Sequence, residues 1–292
     1  MKLKMGILDK IRVLFSDLSQ NRIKLYGLIG AVCVVILMFG IYFQFFYSPN
    51  DDIKFGIDNK VETSTEYEKL KNDFNSEFNN AVRRIRQDST SYKKIDQTKD
   101  IVYTTANLDI ESQGKYDINI HLPALNLSGD MAQQITKDIN NLFGALANDV
   151  VASEDYLTVY NLDYVAYLND DILSLVVKAT LKKGDKPQRV MIKTYNYNIV
   201  ENIDVKLGTL INKKNLDKQQ VQDKIYSEIN TIIKENEALE KEGYTVYKRN
   251  ISDSMYELEN TDTYFIDSNG YLYIVYCYGN TKYSGEVDLI IF

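Results

Sequence analysis

Thr194–Leu210 reads TYNYNIVENIDVKLGTL, and the chain changes its hydrophobic period within this stretch. The first five residues continue a β pattern that begins at QRVMIK and ends near Asn202. Successive strand side chains point to opposite faces, so Tyr195 and Tyr197 share one face and Asn196 and Asn198 the other. VKLGTLI then leads into a long helix from about Asp217. Its apolar face is Val221, Ile225, Ile229, Ile232 or Ile233, and Leu239, and Gly243 is a natural stop.

Outward from this junction the chain alternates short strands and helices. IVYTTANLDIES and YDINIHLPALNL read as two strands punctuated by Gly114, the second alternating Ile118, Ile120 and Leu122. Ser128 or Asp130 caps a helix whose apolar face is Met131, Ile135, Ile139, Leu142, Phe143 and Leu146. YLTVYNLDYVAYLNDDILSLVVKATLKK gives two strands about a turn at Asn169, Asp170 and Asp171. TDTYFIDSNGYLYIVYCY is a hairpin about Asp267–Gly270, and EVDLIIF closes as a strand. Hairpin-linked strands without strict βαβ alternation predict an α+β fold, a mainly antiparallel sheet with two packed helices.

A different element precedes this domain. Leu25–Tyr47, LYGLIGAVCVVILMFGIYFQFFY, contains a single strongly polar side chain, Gln44. As a helix it spans the roughly 30 Å hydrocarbon core of a bilayer. Lys2, Lys4, Lys10, Arg12, Arg22 and Lys24 precede it against Asp9 and Asp17, and Asp51 and Asp52 follow. The positive-inside rule then predicts a single-pass membrane protein, its N-terminus cytoplasmic and its body extracytoplasmic. The run ends in FFYSP, a poor signal-peptide cleavage site, so an uncleaved anchor is expected. Beyond a polar linker, Thr65 with Glu68 forms a capping box for a helix with apolar face Tyr67, Leu70, Phe74, Phe78, Val82 and Ile85. That helix is either a stalk or packed on the domain. The expected organisation is a cytoplasmic arm at 1–24, a membrane helix at 25–47, a juxtamembrane linker and helix at 48–98, and an α+β domain at 99–292.

Composition narrows the chemistry. The chain carries a formal charge of −7. With +4 on the basic arm, the remainder carries the difference, −11. Such a body disfavours nucleic-acid phosphates and suits a cationic partner. Cys33 lies inside the apolar run and Cys277 in a strand pattern, so no disulfide framework is expected. His121 is the one histidine, which argues against zinc chemistry. No Gly-rich phosphate loop and no G-x-S-x-G motif occurs. Asp170–Asp171 and Asp267–Gly270 read as turns rather than as acid/base or calcium sites. No cofactor, no metal and no enzymatic activity is expected.

The candidate binding residues are aromatic and amide side chains with strand spacing: Tyr195, Asn196, Tyr197, Asn198, Tyr271 and Tyr273. Exposed tyrosines recognise protein and glycan partners, whereas half-buried ones are ordinary sheet packing, the reading favoured here. Tyr271 and Tyr273 fall on one face of their strand, and Tyr276 and Tyr278 on the other.

Three motifs in order carry a family resemblance: LPALNLSGDMAQQITKDINNLF, TYNYNIVENIDVKLGTLI and TDTYFIDSNGYLYIVYCYGN. Residues 99–292 resemble the RsiV-like, DUF3298-like extracytoplasmic domain, found in the anti-sigma factor RsiV and beside the catalytic domain of the peptidoglycan deacetylase PdaC. The resemblance implies an envelope sensor or binding domain, with lysozyme or a wall component as ligand and a sigma factor as a cytoplasmic partner of residues 1–24. Where family members often carry a histidine-containing loop, this chain reads LKKGDKPQRV. No deacetylase motif accompanies the domain, so deacetylation is not implied.

Overall fold

The computed structural model describes residues 66–79, 92–152, 157–186, 188–278 and 285–292. The expected cytoplasmic arm and membrane helix lie outside them, as do the linker before residue 66 and the helix positions Val82 and Ile85.

β5 (Arg189–Asn198) ends in TYNYN and belongs to a six-stranded sheet. The sheet runs in order β1 (Val102–Ser112), β2 (Tyr116–Leu125), β3 (Thr158–Asn169), β4 (Ile172–Lys183), β5 and β6 (Ile203–Asp204). All neighbours are antiparallel except β2 and β3, which are parallel. A parallel pair needs a crossover, and α2 (Asp130–Ile139) and α3 (Ala145–Ala152) lie in that connection. β7 (Tyr264–Ile266), β8 (Leu272–Cys277) and β9 (Val287–Ile291) form a second, antiparallel sheet. The expected mainly antiparallel α+β character is present, distributed over two sheets and one parallel junction.

The layers follow from strand alternation. One face of the large sheet buries Ile118, Ile120, Tyr160, Leu162, Leu175, Val177, Tyr195 and Tyr197 beneath α2 and α3. On the other face, Val165, Tyr167, Val176 and Ile192 meet Phe265, Tyr273, Val275 and Leu289 of the small sheet. The far face of the small sheet, with Ile274, Tyr276 and Ile290, packs on α4 (Leu207–Lys213) and α5 (Lys218–Lys241). Tyr273 and Tyr276 thus enter different cores, as period-two spacing predicts.

α1 (Glu66–Asn79) packs on this body rather than standing apart from it. Phe74 stacks on Phe265 at 5.9 Å, Phe265 stacks on Tyr273 at 4.4 Å and on Tyr167 at 5.4 Å, and Lys71 donates to Glu228 at 2.9 Å.

Two local expectations are corrected. Neither Ser128 nor Asp130 caps α2; Gly129 occupies that position with no side-chain cap. A Cβ at Gly129 would lie 2.4 Å from Asn202 Oδ1, so only glycine admits the close approach of the β5–β6 turn. The helical face also shifts, because Asn140–Gly144 forms a π turn. The extra residue per turn rotates Leu142 outward to 48% exposure and buries Phe143, followed by Ala147 and Val150. Tyr160 donates to the Phe143 carbonyl within that turn at 3.1 Å. At α5 the expected start and apolar face hold, with Val221, Ile225 and Ile229 buried; the structure adds that Asp217 caps the helix by accepting from the Gln219 and Gln220 amides.

The two sheets are joined by side-chain hydrogen bonds as well as apolar contact. Asn196 donates to the Tyr264 carbonyl and accepts from Ser174 Oγ, each at 2.7 Å. Ser174 Oγ accepts from the Ile266 amide at 3.2 Å, and Thr194 Oγ1 from the Tyr264 amide at 3.0 Å. Removing one member strands the others in a dry interface. Asn196→Ala is expected to cost about 2 kcal/mol, read as a lower urea midpoint for the chain in detergent; an unchanged midpoint would show that the bridge carries no net stability.

Candidate functional site

The six sequence-predicted site residues do not converge. Tyr195 is buried and donates to Asp138 Oδ2 at 2.7 Å. Tyr197 is buried on the same face and donates to Asn202 Oδ1 at 2.8 Å. Asn196 is committed to the inter-sheet bridge. Asn198 Oδ1 accepts from the Val200 and Glu201 amides, shaping the turn that follows β5. Tyr273 is buried in the aromatic stack between the sheets. Tyr271 is half-buried, edge-on to Tyr67 at 6.2 Å, with Lys214 Nζ 5.6 Å from its ring centre. Tyr195, Tyr197 and Tyr273 thus pack within the layers and Asn196 bridges the sheets, whereas Asn198 shapes a turn and Tyr271 is half-buried.

Burial of the tyrosines has a measurable consequence. It pushes the Tyr276 and Tyr256 phenols up to about 12. A pKa raised in the folded state contributes stability that is complete below the unfolded value near 10 and is lost as pH rises through 12. Base titration of the wild-type chain is expected to show tyrosinate absorbance and loss of far-ultraviolet dichroism rising together above pH 10. Tyr276→Phe should lose less stability than wild type between pH 10 and 12; equal losses would mean that Tyr276 ionises without strain in the fold.

Among the clefts lined by polar side chains, one lies on the large sheet, on the same face that meets the small sheet. That face changes character partway along each strand. β3 presents Val165 and Tyr167 to the apolar half, and Asn161 and Asp163 to the polar half. β4 does the same with Ser174 and Val176 against Lys178 and Thr180. β2 adds Asn119 and His121. Asn119 lies opposite Asn161, which lies opposite Thr180, while Asp163 lies opposite Lys178. Cross-strand alignment therefore produces a grid of polar side chains rather than a scatter.

Phe78 of α1 and Gln188 close one side of the grid, leaving a cleft of about 440 Å3. His121 Nδ1 lies 3.7 Å from Asp163 Oδ2, an ion pair when the imidazole is protonated. Lys178 Nζ lies 5.1 Å from the centre of the Phe78 ring. Burial pulls its amine below the ordinary lysine range, against the opposing influence of Cys277. The grid offers two amides, a hydroxyl, an imidazole, a carboxylate and an ammonium group in one plane. It is suited to hydrogen bonding with a polar partner that lies flat on it. Among the described residues no group of His, Cys, Asp and Glu side chains is placed to hold a metal ion.

Sequence reasoning singled out His121 alone and missed Asn119, Asn161, Asp163, Lys178 and Thr180. The available signal was the change along each strand from alternating polar positions to positions apolar on both faces, as in NLDYVAYL.

No protein-family model matches the chain, and no curated protein matches it. Its neighbours among solved structures include a DUF3298 family protein from Pseudomonas aeruginosa, 10% identical with a TM-score of 0.37. That match covers 57% of this chain and 76% of the other. A DUF3298 family member from Bacteroides fragilis is 14% identical with a TM-score of 0.32, covering 60% of this chain and 80% of the other.

Proposed function

We propose that this chain is a single-pass, membrane-anchored sensor or binding protein of a bacterial envelope. Its extracytoplasmic domain is RsiV-like and recognises a secreted protein, lysozyme by that resemblance, or a wall component. The observation that carries the reading is the polar half-face of the large sheet, which the small sheet leaves uncovered among the described residues. The small sheet and α1 cover the neighbouring part of the same face, and Asn119, Asn161, Asp163, Lys178 and Thr180 line a cleft. Supporting it are the anchor-like run Leu25–Tyr47 and the acidic balance of the remainder, which suits a cationic protein. In this reading the domain acts by binding and performs no catalysis.

Calorimetric titration of the full chain in detergent with lysozyme tests the proposal, with co-sedimentation on purified peptidoglycan as the second arm. Saturable binding is expected in one arm. Asn161→Arg, placed in the centre of the grid, should weaken that binding about tenfold, the scale of an interface hot spot. Failure in both arms by a chain with native dichroism would overturn the ligand classes. Binding indifferent to Asn161→Arg would overturn the face.

A further inference from the structure

Among the described residues, β1 is the long free edge of the large sheet. It runs for 11 residues and pairs on one side with β2. The opposite edge strand, β6, has two residues, and the outer strands of the small sheet, β7 and β9, have three and five. Short outer strands are the usual protection against pairing with another chain. β1 has no such protection: its bulge lies at Thr104–Ala106, and Ala106–Ser112 runs in unbroken register with β2. Every second residue of such an edge turns its N–H and C=O away from the sheet.

The exposed segment Asn107–Glu111 differs on its two faces. Asn107, Asp109 and Glu111 project on the side of the polar grid, Asp109 lying opposite Asn119 and Asn107 opposite His121. Leu108 and Ile110 project on the other side, at 40% and 38% exposure, opposite Ile120 and Ile118. Neither lysine nor proline, the common guards of an edge, occurs between Val102 and Ser112.

We propose that β1 receives an extended segment of a basic partner protein, added to the sheet as a seventh, antiparallel strand. The complementary segment alternates, with Lys or Arg facing Asp109 and Glu111 and apolar side chains facing Leu108 and Ile110. A second copy of this chain is disfavoured in the antiparallel registers that pair the acidic segment Asp109–Glu111 with itself. Antiparallel self-pairing centred on Ile110 sets Asp109 against Glu111 twice, and centred on Asp109 it sets that carboxylate against itself; like charges directly opposite are repulsive. Parallel self-pairing leaves an open, non-closing contact. The inference rests on the reading that this domain binds a protein, and it names the mode of recognition.

The test uses the full chain in detergent and three fluorescent peptides followed by anisotropy. The first is an acetylated, amidated Lys-Val alternating heptapeptide. The second replaces Lys with Glu, and the third is the Lys-Val peptide with alternate backbone N-methylation. Saturable binding of the first alone is expected, because N-methylation removes the ladder donors and Glu reverses the charge. Asp109→Lys combined with Glu111→Lys should weaken it about tenfold, as two cross-strand charge pairs turned repulsive imply. Equal binding of the methylated peptide, or indifference to the double substitution, would overturn the strand-addition mode. Concentration-dependent dimerisation in sedimentation velocity that is altered by the double substitution would assign the edge to a second copy and overturn the proposal. Peptide binding without lysozyme or peptidoglycan binding would keep the edge and reject the grid as the recognition face. Lysozyme binding without peptide binding would do the reverse.

Discussion

Ser174 Oγ is fully buried between the two sheets and is satisfied from both sides. It accepts from the Ile266 amide of the small sheet and donates to Asn196 Oδ1 of the large one. A buried hydroxyl without partners is costly, so its presence fixes where the small sheet sits. Asn196 and Thr194 repeat the constraint along β5, capturing the Tyr264 carbonyl and amide. Apolar packing between sheets tolerates sliding, whereas these bonds require one registration of β7 against β4 and β5. The aromatic stack of Phe74, Phe265, Tyr167 and Tyr273 then fills the same layer.

Beyond the small sheet the chain uses charge for a similar purpose. The segment between α5 and β7 contains only short 3-10 turns, Ser254–Tyr256 and Leu258–Asn260. Arg249, its side chain 3% exposed, anchors that segment. Its guanidinium donates to both oxygens of Asp288, at 2.6 and 2.8 Å, and to Glu286 at 2.9 Å. Tyr278 donates to the same Asp288 and meets the Tyr256 hydroxyl. A bidentate pair with its remaining positions filled offsets the desolvation that burying both ions incurs. An irregular segment thereby gains the positional order that regular backbone pairing supplies elsewhere.

The sequence made the elements legible and the layering less so. Strand alternation located β1 to β5, and the three-four spacing of Val221, Ile225 and Ile229 located α5, because these signals are local. The π turn escaped, since no residue of NNLFG announces an extra residue per turn, and Leu142 was placed inward in consequence. Asn202 and Gly129 illustrate a second limit. Asn202 adopts a left-handed conformation at φ 57 and puts its side chain where Gly129 has none. That contact joins turns far apart in the chain. The tyrosines were correctly divided between faces, but which faces are solvent-exposed depends on the second sheet and on α1.

The same consideration explains why the polar grid was invisible as a unit. Each of its members is an ordinary strand residue, and only the registers of β2, β3 and β4 align them. The grid also marks where coverage by the small sheet ends. Extending that sheet over Asn119, Asn161, Asp163 and Lys178 would press its apolar side chains against amides and charges. Their polarity makes this half of the face unsuited to an apolar cover and suited to a polar partner. β1 stands at the rim of that area, with carboxylates on the grid side and two aliphatic side chains behind. A partner strand at the edge would extend the grid by one row and cover Leu108 and Ile110. Strand addition and face recognition would then reinforce each other, since backbone pairing sets the register in which side chains meet the grid.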